Sequence, residues 1–297
     1  MTPGLSVLIP VFNWDVNKLV DALLAQRADW PGPMEIILFD DGSREEIRVA
    51  NRSLSCRPGV RYHELPHNVG RAAIRNQLAA ASERQEWLLL LDNDSLLPDA
   101  QFLARYAAAR HYAPLVIGGT CYAQAPPVHA ASYLRWYYGH HREARPAAVR
   151  QQAPHAQLTI NNVLLHAAIL TQFPFDEDLT GYGHEDTKLG MELARAQVPI
   201  MHLDNPVLHI GLESANQFLD KSRQAVRNLA HLYHTKGLGA ETRLLQTALR
   251  LRRFGLARAA HGALQVLAPG LRRSLLSARP SLRNFDLLKL YWVLEEL

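Results

Sequence analysis

Two short acidic runs carry the clearest chemistry in the sequence. Asp92-Asn93-Asp94 directly follows the apolar run Trp87-Leu88-Leu89-Leu90-Leu91. Two carboxylates one residue apart at a buried strand's exit can grip a hard divalent cation and a ribose hydroxyl together. Asp40-Asp41-Gly42-Ser43 stands in the same relation to the apolar run before it. Each run alone also suits a tight turn, because Asp, Asn, Gly and Ser are turn formers and Ser caps helices. Their joint placement at the ends of neighbouring strands tips the reading towards a ligand site. Pro10-Val11-Phe12-Asn13 and the helical segment Asn68-Val69-Gly70-Arg71-Ala72-Ala73-Ile74-Arg75-Asn76 join them. Arg71 and Arg75 fall one turn apart and share a face. Guanidinium groups there can meet a base or a diphosphate, or simply pair with a surface carboxylate.

Positioning such residues needs strands that end together. Runs 6–10, 35–40, 60–65, 87–91 and 115–118 read as strands, and helical patterns separate them. Val16, Leu19, Val20, Leu23 and Leu24 repeat at helical spacing with Asp15 placed to cap; Ile74, Leu78 and Ala81 repeat the device. Strands alternating with helices predict right-handed βαβ units and a mostly parallel sheet. The strands are apolar without alternation, as covered sheets require. In such sheets ligands gather at the carboxyl ends of the strands. Residues 121–160 read as an insertion rich in Tyr and His. A strand at 158–165, a loop at 176–184, a helix from 185 to about 196 and a strand pair within 200–210 are expected next. From 213 the pattern is helical, broken at Gly237-Leu238-Gly239 and at Pro269-Gly270.

Composition narrows the class. With 297 residues, 48% apolar and 20% charged, the chain can bury a large core and is not disordered. Cys56 and Cys121 are too few for a disulfide framework or a four-thiolate zinc site, and suit a reducing compartment. No apolar run approaches membrane-spanning length, and MTPGLSVLIP lacks the basic start of a secretory signal, so a cytoplasmic protein is expected. Residues 241–297 hold ten Lys/Arg against four acids, a net +6 within a total of +4. A near-neutral body with a basic tail argues against nucleic acid and leaves room for contact with an anionic surface.

SVLIPVFN, FDDGS, NVGRAAIRN and LLLLDNDS resemble the ordered motifs of the family 2 glycosyltransferases, across residues 5–95. The resemblance implies the GT-A fold, an α/β architecture with a mostly parallel central sheet, here followed by a C-terminal helical extension. It also implies a nucleotide-sugar donor, Mn²⁺ or Mg²⁺, and inversion at the anomeric carbon. The family's nucleoside contacts map onto Pro10, Phe12, Asn13, Asp40 and Arg71, with Asp41, Arg75, Asp92 and Asn93 beside them on the donor. Its Asp-x-Asp pair maps onto Asp92 and Asp94, the latter as metal ligand. UDP is the nucleotide expected by resemblance.

A second resemblance covers 175–209. FDEDLTGYGHEDTKLGMEL is similar to the Gly-x-Gly-x-Glu-Asp segment of galactosyl- and N-acetylhexosaminyl-transferases. In these relatives the acidic pair, here Glu185 and Asp186, supplies the catalytic base, and a His at the place of His209 can complete the metal shell. Helix-end acids and a core histidine explain the same residues structurally. His184 reads as a loop residue shaping the site. Asn161, Asn162 and Tyr182 are candidates for holding the acceptor, and Trp136, Tyr137 and Tyr138 for stacking on sugars or packing the insertion on the sheet.

The expected reaction is one in-line displacement, in which Asp186, with Glu185 competing for the role, deprotonates an acceptor hydroxyl. The acceptor is expected to be a glycan or a lipid-linked saccharide in cell-surface polysaccharide synthesis. The expected division is 1–212 catalytic, split near 120 into nucleotide and acceptor halves, and 213–297 helical, with peripheral membrane contact through the basic helices as one role for the tail. A dinucleotide-dependent oxidoreductase would need a Gly-rich turn after the first strand, and none is present. A sugar nucleotidyltransferase or a non-catalytic nucleotide-sugar-binding module remains the alternative.

Overall fold

The computed structural model describes residues 2–82, 85–179 and 181–297. Its contacts divide the chain into two compact units: Met1–Ala123, Glu143–Asp178 and Glu185–Gly211 form the first, and Gln124–Arg142, Leu179–His184 and Leu212–Leu297 the second.

The first unit is α/β. Strands β1 (Leu5–Val11), β2 (Met34–Asp40), β3 (Val60–Glu64), β4 (Trp87–Leu91), β6 (Leu115–Ile117), β8 (Asn162–His166) and β9 (Ile200–His202) form a sheet in the order β3-β2-β1-β4-β8-β6-β9. The pairings β3–β2–β1–β4 and β6–β9 are parallel, while β8 runs antiparallel to both neighbours. β1 explains the layering. Leu5, Val7, Ile9 and Val11 join one core with Leu19, Val20 and Leu23 of helix Asn17–Ala25 and with Phe102 and Tyr106 of helix Phe102–Ala109. Leu8 points the other way, into a core with Ile74 and Leu78 of helix Arg71–Ala81 and Leu189 and Leu193 of helix Glu185–Arg195. Each fully buried Leu or Ile contributes about 1.5–3 kcal/mol, so neither face can be exposed cheaply.

Three expectations need correction. The strand expected at 158–165 begins only at Asn162, because its partners stop there: Leu91 faces Asn162 and Ile117 faces Val163. The two strands within 200–210 do not pair with each other. β9 extends the large sheet, whereas β10 (Val207–His209) lies between β5 (Ser95–Leu96) and β7 (Thr120–Cys121) in a separate three-stranded sheet. Buried Asn205 makes the switch, with its Nδ2 donating to Phe102 O at 3.0 Å and its Oδ1 accepting from Arg105 Nε at 2.6 Å. Asp15 caps no deeper turn; it accepts from the Asn17 N–H at 2.9 Å.

The second unit is helical: Tyr133–Tyr138, Ala215–Lys236, Arg243–Arg253, Ala257–Leu275 and Leu282–Glu296. Leu134, Phe218, Leu219, Leu245, Phe285 and Trp292 lie in its core. Ser214 and Gln217 form a capping box, and Gly237, at φ 63°, ends that helix as its left-handed residue. Pro269 does not break its helix, a further correction: Ala257–Leu275 runs through it. Proline removes one intrahelical hydrogen bond, but burial of Leu264, Leu271 and Leu275 holds both halves in line. Tyr138 packs on Phe218 and Phe285, with ring centroids 5.1 and 5.5 Å away, so this aromatic belongs to the helical unit and not to the sheet. No helix among the described residues is long and apolar enough to cross a membrane.

Candidate active site

The ends of β1 and β2 are locked together by polar residues that the sequence singles out. Asp40 is fully buried; it accepts from the Ser43 N–H at 2.7 Å and the Tyr62 hydroxyl at 3.0 Å. Asp41 accepts from the Val69 and Gly70 N–H groups at 2.6 and 3.3 Å, anchoring the entry to helix Arg71–Ala81. Burial pushes the Asp41 pKa up, against the pull of those bonds. Asn13 donates its N–H to Ser43 Oγ at 2.8 Å and accepts from the Arg44 N–H at 2.9 Å, in a left-handed conformation at φ 52° that Asn tolerates. Asp40, Asp41 and Asn13 therefore build the rim, while Phe12, 48% exposed, and exposed Arg71 face outward from it.

The two carboxylates after β4 have different surroundings. Asp92 Oδ1 is 2.7 Å from Arg75 Nη2, and Arg75 is only 4% exposed, so this guanidinium serves the carboxylate and not the surface. Asn93 Nδ2 donates to Phe12 O at 3.2 Å, tying the acidic turn to the end of β1. Asp94 meets a histidine. Antiparallel pairing of Ser95 with His209 sets His209 Nδ1 3.3 Å from Asp94 Oδ1. The Tyr122 ring stands edge-on to His209 at 5.5 Å. A Cβ on Gly211 would overlap Asp94 Oδ2, so only glycine fits beside this carboxylate.

Among the described residues, no group of three or more His, Cys, Asp or Glu gathers as a metal cage. The Asp94–His209 couple nevertheless fits a cation that takes its remaining ligands from a diphosphate and water, as Mg²⁺-type sites do. His209 Nε2 is buried with no hydrogen-bond partner, and its imidazole lies against a carboxylate of the right hardness.

Glu185 and Asp186 open helix Glu185–Arg195, where the helix dipole favours negative charge. Glu185 is buried and its Oε1 has no hydrogen-bond partner. Asp186 keeps part of its surface open, and its Oδ1 accepts from the Thr187 N–H at 2.7 Å. Burial raises the pKa of both; Arg75 pulls each of them down. One guanidinium thus bonds Asp92 and acts electrostatically on the second acidic pair.

Not every sequence candidate reaches a ligand surface. Asn162 is fully buried: its amide donates to Gly119 O and Asn205 O, both at 2.8 Å, and accepts from Tyr106 at 2.7 Å. It is a pillar of the scaffold and cannot hold an acceptor. Asn161 remains half-buried, donating to Thr120 Oγ1 at 2.8 Å. Tyr182 belongs to the helical unit, where the Lys221 ammonium lies 5.4 Å from its ring and Asn228 donates to its carbonyl. Gly181 and Gly183 around it take φ of 81° and 101°, and His184 follows at 75°. That explains the glycine spacing as a backbone requirement. Tyr122, Gly211 and the Arg75–Asp92 pairing carry no local signal; sheet pairing and helix packing alone bring them in.

A family model described as "Glycosyl transferase family 2" matches residues 6–161. Over 233 residues the chain is 29% identical to validoxylamine A glucosyltransferase of Streptomyces hygroscopicus subsp. limoneus, covering 67% of this chain and 49% of that protein. The chain thus spans about half the length of this curated relative. A mannosyltransferase from Pyrobaculum calidifontis, solved with GDP-Man and Mn²⁺, aligns at a TM-score of 0.60 and 16% identity, over 99% of this chain and 86% of that one. The glucosyl-3-phosphoglycerate synthase of Mycobacterium tuberculosis, solved with Mn²⁺, UDP and glucosyl-3-phosphoglycerate, aligns at 0.53 and 16% identity, over 77% and 79%. These two likenesses establish the fold.

Proposed function

The chain belongs to glycosyl transferase family 2, and on that premise we propose that its first unit is a metal-dependent inverting hexosyltransferase. It moves a sugar from a nucleotide-diphosphate donor, taken as UDP-linked, to a hydroxyl of a glycan or lipid-linked saccharide in cell-surface polysaccharide synthesis. The carrying observation is Arg75. It bonds Asp92 and opposes the burial-driven rise in the pKa of Glu185 and Asp186, so one guanidinium acts on both acidic segments.

The roles follow from accessibility. Phe12 and Arg71 offer an exposed ring and an exposed guanidinium to a nucleoside diphosphate, on the rim that Pro10, Asn13, Asp40, Asp41 and Asn93 stabilise. Asp92, fixed by Arg75, faces the donor ribose. Asp94 and His209 would hold Mn²⁺ or Mg²⁺, which offsets charge building on the leaving diphosphate. The Mn²⁺ in the mannosyltransferase and synthase structures supports this reading. Asp186 takes the acceptor proton, because it stays partly open while Glu185 is sealed beneath it. A base so placed contributes about 10²–10⁴-fold. Asn161 is proposed on the acceptor side of this unit.

The test is nucleotide release from a panel of UDP-sugars with Mn²⁺, with and without saccharide acceptors. Acceptor-stimulated UDP release abolished by EDTA is expected. Tight nucleotide binding without any release would favour the non-catalytic binding module and overturn the reading.

A further inference from the structure

Residues 242–285 contain nine arginines and no Asp or Glu. The acids nearest in sequence on the C-terminal side are occupied elsewhere: Asp286 pairs with Arg142 at 2.7 Å, Glu295 with Arg223 at 3.2 Å and Glu296 with Arg227 at 3.1 Å. Among the described residues, none of the arginines of 242–285 pairs with an Asp or Glu side chain, and Arg252 donates to Leu297 O at 2.9 Å. Arg272, for one, donates only to the Asn216 amide, at 2.9 Å.

The same segment leaves apolar side chains in solvent. Helix Ala257–Leu275 buries Leu264, Leu271 and Leu275 on one side. At the edge of that stripe Leu267 is 53% exposed, away from it Val266 is 80% exposed, and Phe254 just before the helix is 71% exposed. Apolar side chains left in solvent around one helix suit a second apolar medium besides the unit's own core. Beside it, a cavity of about 630 Å³ is lined by Arg252, Arg258, His261, Leu294 and Leu297. His261 Nε2 is buried with no hydrogen-bond partner. The Arg258 guanidinium, the Arg252 guanidinium that also donates to Leu297 O at 2.9 Å, and an unused imidazole nitrogen beside leucine side chains match a phosphate that carries an apolar tail.

We propose that helix Ala257–Leu275 lies in the interface of an anionic lipid bilayer, with Phe254, Val266 and Leu267 entering the acyl boundary and the Arg252–Arg258–His261 cavity holding a headgroup phosphate. Charge complementarity selects this occupant. An extended polyanion meets a run of arginines with no Asp or Glu partner, and only a lipid polyanion also offers the apolar residues a medium. A nucleic acid would leave Val266 and Phe254 in water. The inference stands apart from the transfer reaction.

Co-sedimentation with vesicles of phosphatidylcholine, alone or mixed with phosphatidylglycerol, tests it at low and high salt. The full chain is expected to bind only the mixed vesicles, and only at low salt. Arg258→Gln/Arg272→Gln/Arg273→Gln lowers partition about 100-fold, at roughly fivefold per arginine. V266E/L267E, both at exposed positions, lowers it at least about tenfold while thermal unfolding and UDP release stay at wild-type values. No binding to mixed vesicles at low salt overturns the proposal, as does undiminished binding of V266E/L267E. It also fails if sedimentation velocity finds a dimer that this variant dissolves without any vesicle binding, which would make the face an interface between copies.

Discussion

The acids after β4 and the acids opening helix Glu185–Arg195 are chemically alike and physically opposite. Asp92 and Asp94 each meet a nitrogen, Arg75 Nη2 at 2.7 Å and His209 Nδ1 at 3.3 Å, and keep 27% and 23% of their side chains exposed. Such carboxylates are partly open and held in place by a neighbouring nitrogen, as binding of a cation and a ribose requires. Glu185 is buried and Asp186 half-buried, neither with a bonded cation among the described residues, and loss of solvent lifts both pKa values. A carboxyl whose pKa moves towards the working pH is suited to accept a proton. Acids meet nitrogens in one region and lose solvent in the other, and Arg75 acts on both.

Removing one of the acids that meet nitrogens should have the largest consequence. Asp94→Ala is expected to cut transfer by about 10³-fold or more and to abolish Mn²⁺-dependent strengthening of UDP binding, read by calorimetry, with a cooperative melt retained. A variant that transfers normally in excess EDTA would erase the contrast between the regions.

Asp186→Asn should lower turnover by about 10²–10⁴-fold with donor affinity nearly unchanged. Its pH profile sharpens the comparison. The base works deprotonated and its pKa is raised, so wild-type activity rises with pH along a limb above the ordinary carboxylate range, about pH 4, and the variant loses that limb. If Glu185→Gln is the dead variant instead, the roles within the pair are exchanged.

Arg75→Ala probes the coupling. Leaving Asp92 without its buried partner should cost roughly 2 kcal/mol of stability. A double-mutant cycle with Asp92→Ala, followed by denaturant melts, should return a coupling energy of about 1 kcal/mol or more. Additive effects would mean that the ion pair is incidental.

Gly211→Ala tests the fit around Asp94. The new methyl must displace the carboxylate, so about a tenfold loss in kcat/KM is expected with little change in melting temperature.

The smallest effect concerns stability. The raised pKa of Glu185 means the folded state holds a proton that the unfolded state releases, so stability falls as pH climbs from the ordinary carboxylate value through the folded one. Glu185→Gln removes that loss. Its melt should match wild type near about pH 4 and exceed it increasingly as pH rises above that range.

Much of this was legible in the chain. Aliphatic runs ending in Asp or Asn marked β1, β2 and β4 almost to the residue, because a strand covered on both faces admits few polar side chains. Spacing singles out Arg71 and Arg75 together, but one turn of helix leaves Arg71 exposed and sets Arg75, 4% exposed, against Asp92. Asn162 misled for the opposite reason. A polar residue in an apolar segment reads as a site, yet here it ties Tyr106, Gly119 and Asn205 together in the core.

The sequence by itself determined the elements, the acidic motifs and the family, since these rest on residue type and spacing within a few turns of chain. Tertiary structure decided which acids meet a nitrogen and which lose solvent. That depends on partners over a hundred residues away, such as His209 for Asp94, delivered by the pairing of β10 with β5. It also decided that an acid-free basic segment leaves an apolar helix side uncovered, because exposure is a property of packing, and one-dimensional periodicity does not carry it.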